Sequence, residues 1–164
     1  MRKCIFPGSF NPFTVGHLDI VKQALSQFGE VIVAVADITY KDDIAPLDCR
    51  VKMAKKSLSA LKNVSVIKYC MQTTELLSSL GIYSLIRGIR NEDDWVYEKQ
   101  LETVYKSVEP KTEIIYIKSN YNHISSSLVR KISHEGGRFD EFVSNKIVGD
   151  IKRLYGIDEN RPIN

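Results

Sequence analysis

The 164-residue sequence has little excess charge, because 23 basic residues face 20 acidic ones and the formal net charge is +3. A balance of this size is too small to indicate nucleic-acid binding through overall charge. Cysteine is also scarce. The three cysteines, Cys4, Cys49 and Cys70, are odd in number and far apart, which argues against a disulfide scaffold and against a cysteine-rich zinc site.

Long hydrophobic runs are missing as well. An apolar stretch such as Val31–Ala36 is far shorter than a membrane span. Near the N-terminus, Pro7 and Gly8 interrupt the apolar run that a signal peptide would need. We therefore expect a cytoplasmic protein whose partners include neither a membrane nor a nucleic acid.

Short β-branched runs alternate along the chain with longer amphipathic stretches, a pattern typical of βαβ units in a parallel sheet. The pattern predicts one α/β domain over residues 1–157, doubly wound and Rossmann-like, with a five-stranded parallel sheet and helices on both faces. Residues 158–164 are expected to form a loose tail. The predicted strands are Lys3–Phe6, Val31–Ala36, Val64–Tyr69, Ser84–Arg87 and Ile114–Lys118, and the predicted helices are Leu18–Phe28, Val51–Leu61, Trp95–Tyr105, Ser126–Glu135 and Asn145–Leu154.

The loop after the first predicted strand is unusually long and ends at His17, where an amphipathic helix follows. Gly8 and Gly16 would let the backbone approach a ligand closely, and the free N–H groups of a helix start attract anions. The loop therefore predicts a phosphate site, although Gly and Pro also punctuate ordinary loops. Neither Gly-x-Gly-x-x-Gly nor a Walker A motif occurs, so the usual dinucleotide and kinase phosphate loops are missing.

Two further segments carry groups that suit phosphate. Arg87 and Arg90 flank Gly88 at the end of the fourth predicted strand, where a glycine leaves room for a nucleotide and arginine can bind phosphate with two hydrogen bonds. The serines at 125–127 precede a predicted helix. Their hydroxyls would cap that helix whatever the function, and they could also bind a phosphate chain.

The segment Pro7–Pro12 with Thr14-x-Gly16-His17 resembles the signature of the nucleotidyltransferase superfamily. Thr14, in place of the superfamily's first histidine, is typical of the phosphopantetheine adenylyltransferase family. Arg87–Arg90 with the following Tyr97-Glu98, and Ile124–Ser127, are similar to later motifs of that family in the same order.

The resemblance implies that the adenylyl group of ATP is transferred to 4′-phosphopantetheine, giving dephospho-coenzyme A and pyrophosphate, by in-line attack of the acceptor phosphate on the α-phosphorus. It also implies Mg²⁺, which we expect to be held mainly through the phosphates without protein ligands, and a homohexamer. His17 would stabilise the transition state. The resemblance places Ser9, Lys41, Thr73 and Arg87 on phosphopantetheine, and Ser9, Phe10, His17, Gly88, Ile89, Arg90, Glu98, Tyr121, Asn122, His123, Ile124, Ser125, Ser126 and Ser127 on ATP, with Glu98 on the adenosine side.

Some residues depart from the family pattern. Asn11 stands where the family usually has Asp, and Asp42 and Asp43 follow Lys41, where they would weaken its positive potential. The sequence leaves two alternatives open: another nucleotidyltransferase, which transfers a cytidylyl group or adenylates nicotinamide mononucleotide, or a nucleotide-binding domain without turnover.

We further expect the pKa of His17 to lie close to the second pKa of a phosphate.

Overall fold

The computed structural model describes residues 1–41 and 43–156. Its single sheet has five parallel strands in the order β3-β2-β1-β4-β5. The predicted five-stranded parallel sheet is therefore confirmed. Residue 157, where the domain was predicted to end, and the predicted tail 158–164 lie outside the described residues, as does Asp42. The strands are β1 (Lys3–Gly8), β2 (Glu30–Ala36), β3 (Val64–Tyr69), β4 (Ser84–Ile89) and β5 (Glu113–Lys118).

The helices follow the strands, as βαβ units require. One of them, Thr73–Leu80, was not predicted. It has eight residues and begins with a capping box in which Gln72 and Glu75 bond each other's backbone N–H groups. The helices are α1 (Val15–Phe28), α2 (Leu47–Leu58), α3 (Thr73–Leu80), α4 (Glu92–Val108), α5 (Ser126–His134) and α6 (Val148–Tyr155), and short 3₁₀ turns lie at Asp140–Phe142 and Asn145–Ile147.

The core lies on both faces of the sheet, because successive strand side chains point to opposite sides. On one face, Phe6 and Val33 pack against Val21 and Ala24 of α1. On the other face, residues of β1, β2 and β4 pack against Leu76 and Leu77 of α3. A third cluster joins α5, α6 and the 3₁₀ turns to Met53 of α2. The doubly wound arrangement is thus confirmed, and no described helix is long and apolar enough to cross a membrane.

For the expected homohexamer, we predict an assembly surface with apolar residues that one core does not need, such as Trp95, Tyr105 and Ile115. Tyr105 packs against the cluster on the α3 face, and Ile115 packs against the opposite cluster. The core of one copy therefore partly buries both residues, because helices cover both faces of the sheet. Trp95 does remain exposed.

The chain winds in opposite directions from β1 and β4, which are neighbours in the middle of the sheet. In open parallel sheets, ligands bind beyond the carboxyl ends of the strands at such a switch point. The loop after β1 begins there, and the Arg87–Arg90 segment lies at the carboxyl end of β4.

Candidate active site

The loop after β1 ends in a capping box that joins Thr14 and His17. The Thr14 hydroxyl accepts a hydrogen bond from the His17 backbone N–H at 3.4 Å, and the Thr14 backbone N–H donates to His17 Nδ1 at 3.0 Å. A residue with a short side-chain hydroxyl is favoured at the N-cap of a helix. The imidazole is thereby held in the first turn of α1, and the N-terminus of a helix attracts anions.

Aromatic rings surround the His17 side chain. The ring centroids of Phe10 and Phe13 lie 5.0 and 5.3 Å from that of the imidazole. Burial, and to a lesser extent the charge of Arg90, lower the pKa of His17 to about 4. We expected the pKa of His17 to lie close to the second pKa of a phosphate. That expectation was wrong, because the apolar surroundings disfavour the imidazolium.

A neutral His17 also has a defined tautomer. Since Nδ1 accepts the hydrogen bond from the Thr14 N–H, the ring proton must lie on Nε2. The second ring nitrogen is then a hydrogen-bond donor at neutral pH. The site contains a neutral donor at a helix start, which is suited to an oxygen that becomes more negative during a reaction.

Asn11 connects the first loop to the loop after β2 and to α6. Its Oδ1 accepts from the Ala45 N–H at 3.1 Å and from the Tyr155 hydroxyl, and its Nδ2 donates to the Asp43 carbonyl at 3.1 Å. An aspartate could make the first two bonds but not the third, because an ionised carboxylate has no donor. The departure from the family's Asp is therefore explained by a contact that only the amide makes.

Arg87 is paired with Glu98 of α4 through two hydrogen bonds, Nε to Oε2 at 2.8 Å and Nη2 to Oε1 at 2.6 Å. Glu98 is only 6% exposed. Glu98, predicted to lie on the adenosine side, thus contacts Arg87, which was predicted to bind the acceptor phosphate. A bidentate pair of this kind fixes the plane of the guanidinium. Sequence reasoning identified both residues but not their contact.

Arg90 lies at the exposed rim of the site. Its Nε donates to Asp94 at 3.0 Å, and an exposed pair of this kind contributes little stability, so the guanidinium can exchange this partner for an anion. Gly88 has a packing role that was not predicted. A Cβ at this position would meet the Cδ1 atom of Ile20 at 2.7 Å, so the missing side chain makes room for α1. Ile89 ends β4 and is half-buried.

The loop between β5 and α5 is tied to α1 by Asp19. The carboxylate accepts from the Asn120 backbone N–H at 2.8 Å and from the Ser119 hydroxyl at 3.2 Å. Ser119 Oγ in turn accepts from the Tyr121 N–H at 3.0 Å. Asp19 therefore holds the loop that carries several predicted ATP contacts. The sequence did not indicate Asp19, because it lies within the amphipathic pattern of α1 and outside the three motifs. Of that loop, Tyr121, Asn122 and His123 are exposed.

The three serines of the third motif have different environments. Ser125 caps α5, because its Oγ accepts from the Leu128 N–H at 3.1 Å. Ser126 donates to the Pro12 carbonyl at 2.7 Å and so joins the third motif to the first. Ser127 is exposed and lines an open cavity of about 880 Å³ between α5, α6 and residues 43–46. Ile124, in contrast, has its side chain in the core, so only its backbone is available to a ligand.

The remaining predicted residues follow the outer strands. Lys41 is exposed in the loop after β2, and Thr73 begins α3, where its hydroxyl lies 3.3 Å from that of Tyr69. Ser9 and Phe10 follow β1, with Ser9 half-buried and Phe10 packed in the core. The motifs on β1, β4 and β5 are thus brought to one edge of the sheet. The described residues contain no group of three acidic, histidine or cysteine side chains that could hold a metal ion.

An open parallel sheet whose glycine- and arginine-bearing segments meet at its switch point is the architecture of nucleotide-binding α/β proteins. The chain belongs to the cytidylyltransferase-like family, whose sequence profile matches residues 5–132. Within that family it is 35% identical to the phosphopantetheine adenylyltransferase of Prochlorococcus marinus subsp. pastoris, over 95% of this chain and 99% of that protein. It is 40% identical to the phosphopantetheine adenylyltransferase of Campylobacter hominis, over 88% of this chain and 92% of that protein. The resemblance inferred from three motifs is confirmed.

Proposed function

We propose that this protein transfers the adenylyl group of ATP to 4′-phosphopantetheine, releasing pyrophosphate and forming dephospho-coenzyme A. The observation that carries the proposal is the neutral imidazole of His17, held at the start of α1 with its Nε2 proton available and with Arg87 and Arg90 at the carboxyl end of the neighbouring strand β4. The names of the similar proteins support the choice of substrates.

The reaction is a displacement at phosphorus. An oxygen of the acceptor phosphate forms a bond to the α-phosphorus of ATP, and the bond from that phosphorus to the bridging oxygen of pyrophosphate breaks. A phosphate monoester has a second pKa of about 6, so the nucleophile is already ionised at neutral pH and needs no general base. Negative charge grows on the α-phosphate oxygens, where His17 Nε2–H and the α1 N-terminus stabilise it.

Apart from Ser9, which would contact both substrates, the two substrates would use different parts of the site. We assign the acceptor phosphate to Lys41 and Arg87, with Thr73 along the same substrate. We assign the β- and γ-phosphates of ATP to Arg90 and the serines at 125–127. The adenosine would lie along Gly88, Ile89 and the 121–124 loop, and Glu98 would act through the guanidinium it orients.

Mg²⁺ would be held mainly through the phosphates of ATP, because this ion keeps several waters and binds substrate phosphates more often than an all-protein site. When bound, the ion neutralises charge on the phosphate chain. The protein itself would place arginine and serine donors around the phosphates of ATP.

An ATP-dependent reaction of this kind is expected in the cytoplasm.

A homohexamer is proposed as the assembly. Helix α4 exposes four apolar side chains outside the core of one copy, Val96, Tyr97, Val104 and Val108, each more than half exposed. Such a surface favours a partner, and a closed symmetric oligomer would bury it without leaving free copies of the same patch.

The test is pyrophosphate release over a matrix of nucleotides and acceptors. Release with ATP and 4′-phosphopantetheine is expected, and pantetheine without its phosphate should be inert because it lacks the ionised nucleophile and the charge for Lys41 and Arg87. Turnover with CTP or with nicotinamide mononucleotide would favour another nucleotidyltransferase, and nucleotide binding without release would favour a non-catalytic domain.

Variants separate the roles within that activity. His17→Ala should lower kcat by roughly 10²–10³ with a smaller change in KM, because a preorganised donor acts mainly on the transition state. In calorimetric titrations, Arg87→Ala should weaken mainly phosphopantetheine and Arg90→Ala mainly ATP. The opposite pattern would reverse the assignment of the two arginines.

A further inference from the structure

Arg50, on the first turn of α2, is the largest side chain that is almost completely buried, with 1% exposure. Its Nε donates to the Ala45 carbonyl at 2.8 Å, and its Nη1 donates to the Ser9 carbonyl at 2.7 Å and to the Ala36 carbonyl at 2.8 Å. Among residues 1–41 and 43–156, no carboxylate forms an ion pair with it.

The three carbonyls belong to segments that are separate in sequence. Ser9 follows β1, Ala36 ends β2, and Ala45 lies two residues before α2 in the loop that contains Lys41. The same Ala45 is bound from its other side, since its N–H donates to Asn11. One guanidinium therefore fixes the distance between the phosphate loop after β1 and the loop after β2.

Burial of this charge is unfavourable for stability by itself. Desolvation lowers the pKa of Arg50. An apolar side chain of similar size would avoid the loss of stability that comes from burying a charge. Lysine could not replace the arrangement, because its single nitrogen lacks the flat, rigid fork of donors that reaches separate acceptors. Only arginine can donate hydrogen bonds to both loops at once and so hold them at this separation.

We propose that Arg50 is a positioning residue of the active site, which holds the Ser9 turn and the Lys41 loop so that both reach the same acceptor phosphate. This inference rests on the proposed function. A displacement of about 1 Å in the groups that place a substrate lowers the rate by about 10²-fold. Because Lys41 is assigned to the acceptor alone, whereas Ser9 is shared with ATP, the effect should fall on the acceptor more than on ATP.

The test compares Arg50→Met, Arg50→Lys and the control Met53→Ala. Met53 lies one turn further along α2, is also buried, and packs in the cluster formed with α5 and α6. Kinetics are measured well below the melting temperature of each variant. Arg50→Met should raise the KM for phosphopantetheine at least about tenfold and lower kcat/KM about 10²-fold, with a smaller change in the KM for ATP.

Arg50→Lys should lie between wild type and Arg50→Met, and Met53→Ala should keep both KM values within about twofold of wild type despite its lower stability. Equal effects of Arg50→Met and Met53→Ala, or equal changes for both substrates, would overturn the proposal. If Arg50→Met does not fold, the same comparison is made with Arg50→Lys.

Hydrogen exchange supplies a readout that is independent of activity. Loss of the Arg50 bonds should speed exchange in residues 9–11 and 43–46 by about tenfold, with no change in β5. Unchanged exchange in those two segments would also overturn the proposal. An inactive wild type would refute the proposed function, and the exchange result would then decide by itself whether Arg50 joins the two loops.

Discussion

The pKa of His17 predicts a specific dependence of stability on pH. The imidazole has a pKa of about 4 in the folded protein, against 6.5 for an unperturbed histidine. Between these values the unfolded chain takes up a proton that the folded chain does not. The free energy of unfolding therefore falls as the pH is lowered from 6.5 to 4, and this contribution is restored as the pH rises again.

The size of the effect follows from the same two values. A pKa difference of this size corresponds to about 3 kcal/mol of unfolding free energy, fully lost below pH 4. Carboxylates also titrate in this range, so the histidine needs a matched control. His17→Gln provides it, because a glutamine at the third helical position preserves the capping box with Thr14 but does not titrate.

The assay is urea denaturation of wild type and His17→Gln at several pH values from 4 to 7. Wild type should lose about 3 kcal/mol more than the variant over this interval. NMR of the imidazole should show protonation near pH 4 and the Nε2–H tautomer above it. A His17 that titrates between pH 6 and 7, or equal pH dependence in the two proteins, would refute the assignment of a neutral donor.

Three further results are expected. Asn11→Asp should lower the free energy of unfolding by about 1 kcal/mol in urea titrations, because the donor to the Asp43 carbonyl is lost, and an unchanged value would contradict that role. Glu98→Ala leaves the half-buried Arg87 without its carboxylate partner, so the free energy of unfolding should fall by about 3 kcal/mol. Phosphopantetheine should also bind more weakly in calorimetry, and binding equal to wild type would argue against positioning by Glu98. Val104→Glu should reduce the mass found by light scattering at micromolar concentration if α4 forms the assembly surface, and a monomeric wild type would refute the assembly.

Much of the fold is predictable from local pattern. Interior strands of a parallel sheet are continuous apolar runs rich in β-branched residues, so the interior strand β2 was predicted to within a residue at each end. Helix α3 was missed because Thr73–Leu80 is short and rich in Ser and Thr, which have low helix propensity. Its stability comes from burying Leu76 and Leu77 against the sheet, which a local pattern does not contain.

The sequence by itself determined which residues have suitable chemistry, because phosphate binding needs glycine, arginine and serine at helix starts and strand ends, and these occur in recognisable order. Only the tertiary structure decided how those residues behave. The neutral state of His17 depends on Phe10 and Phe13, and the geometry of the loops depends on Arg50, which bonds carbonyls of Ser9 and Ala36. Desolvation and hydrogen bonds between distant segments exist only after the chain has folded, so no spacing in the sequence records them.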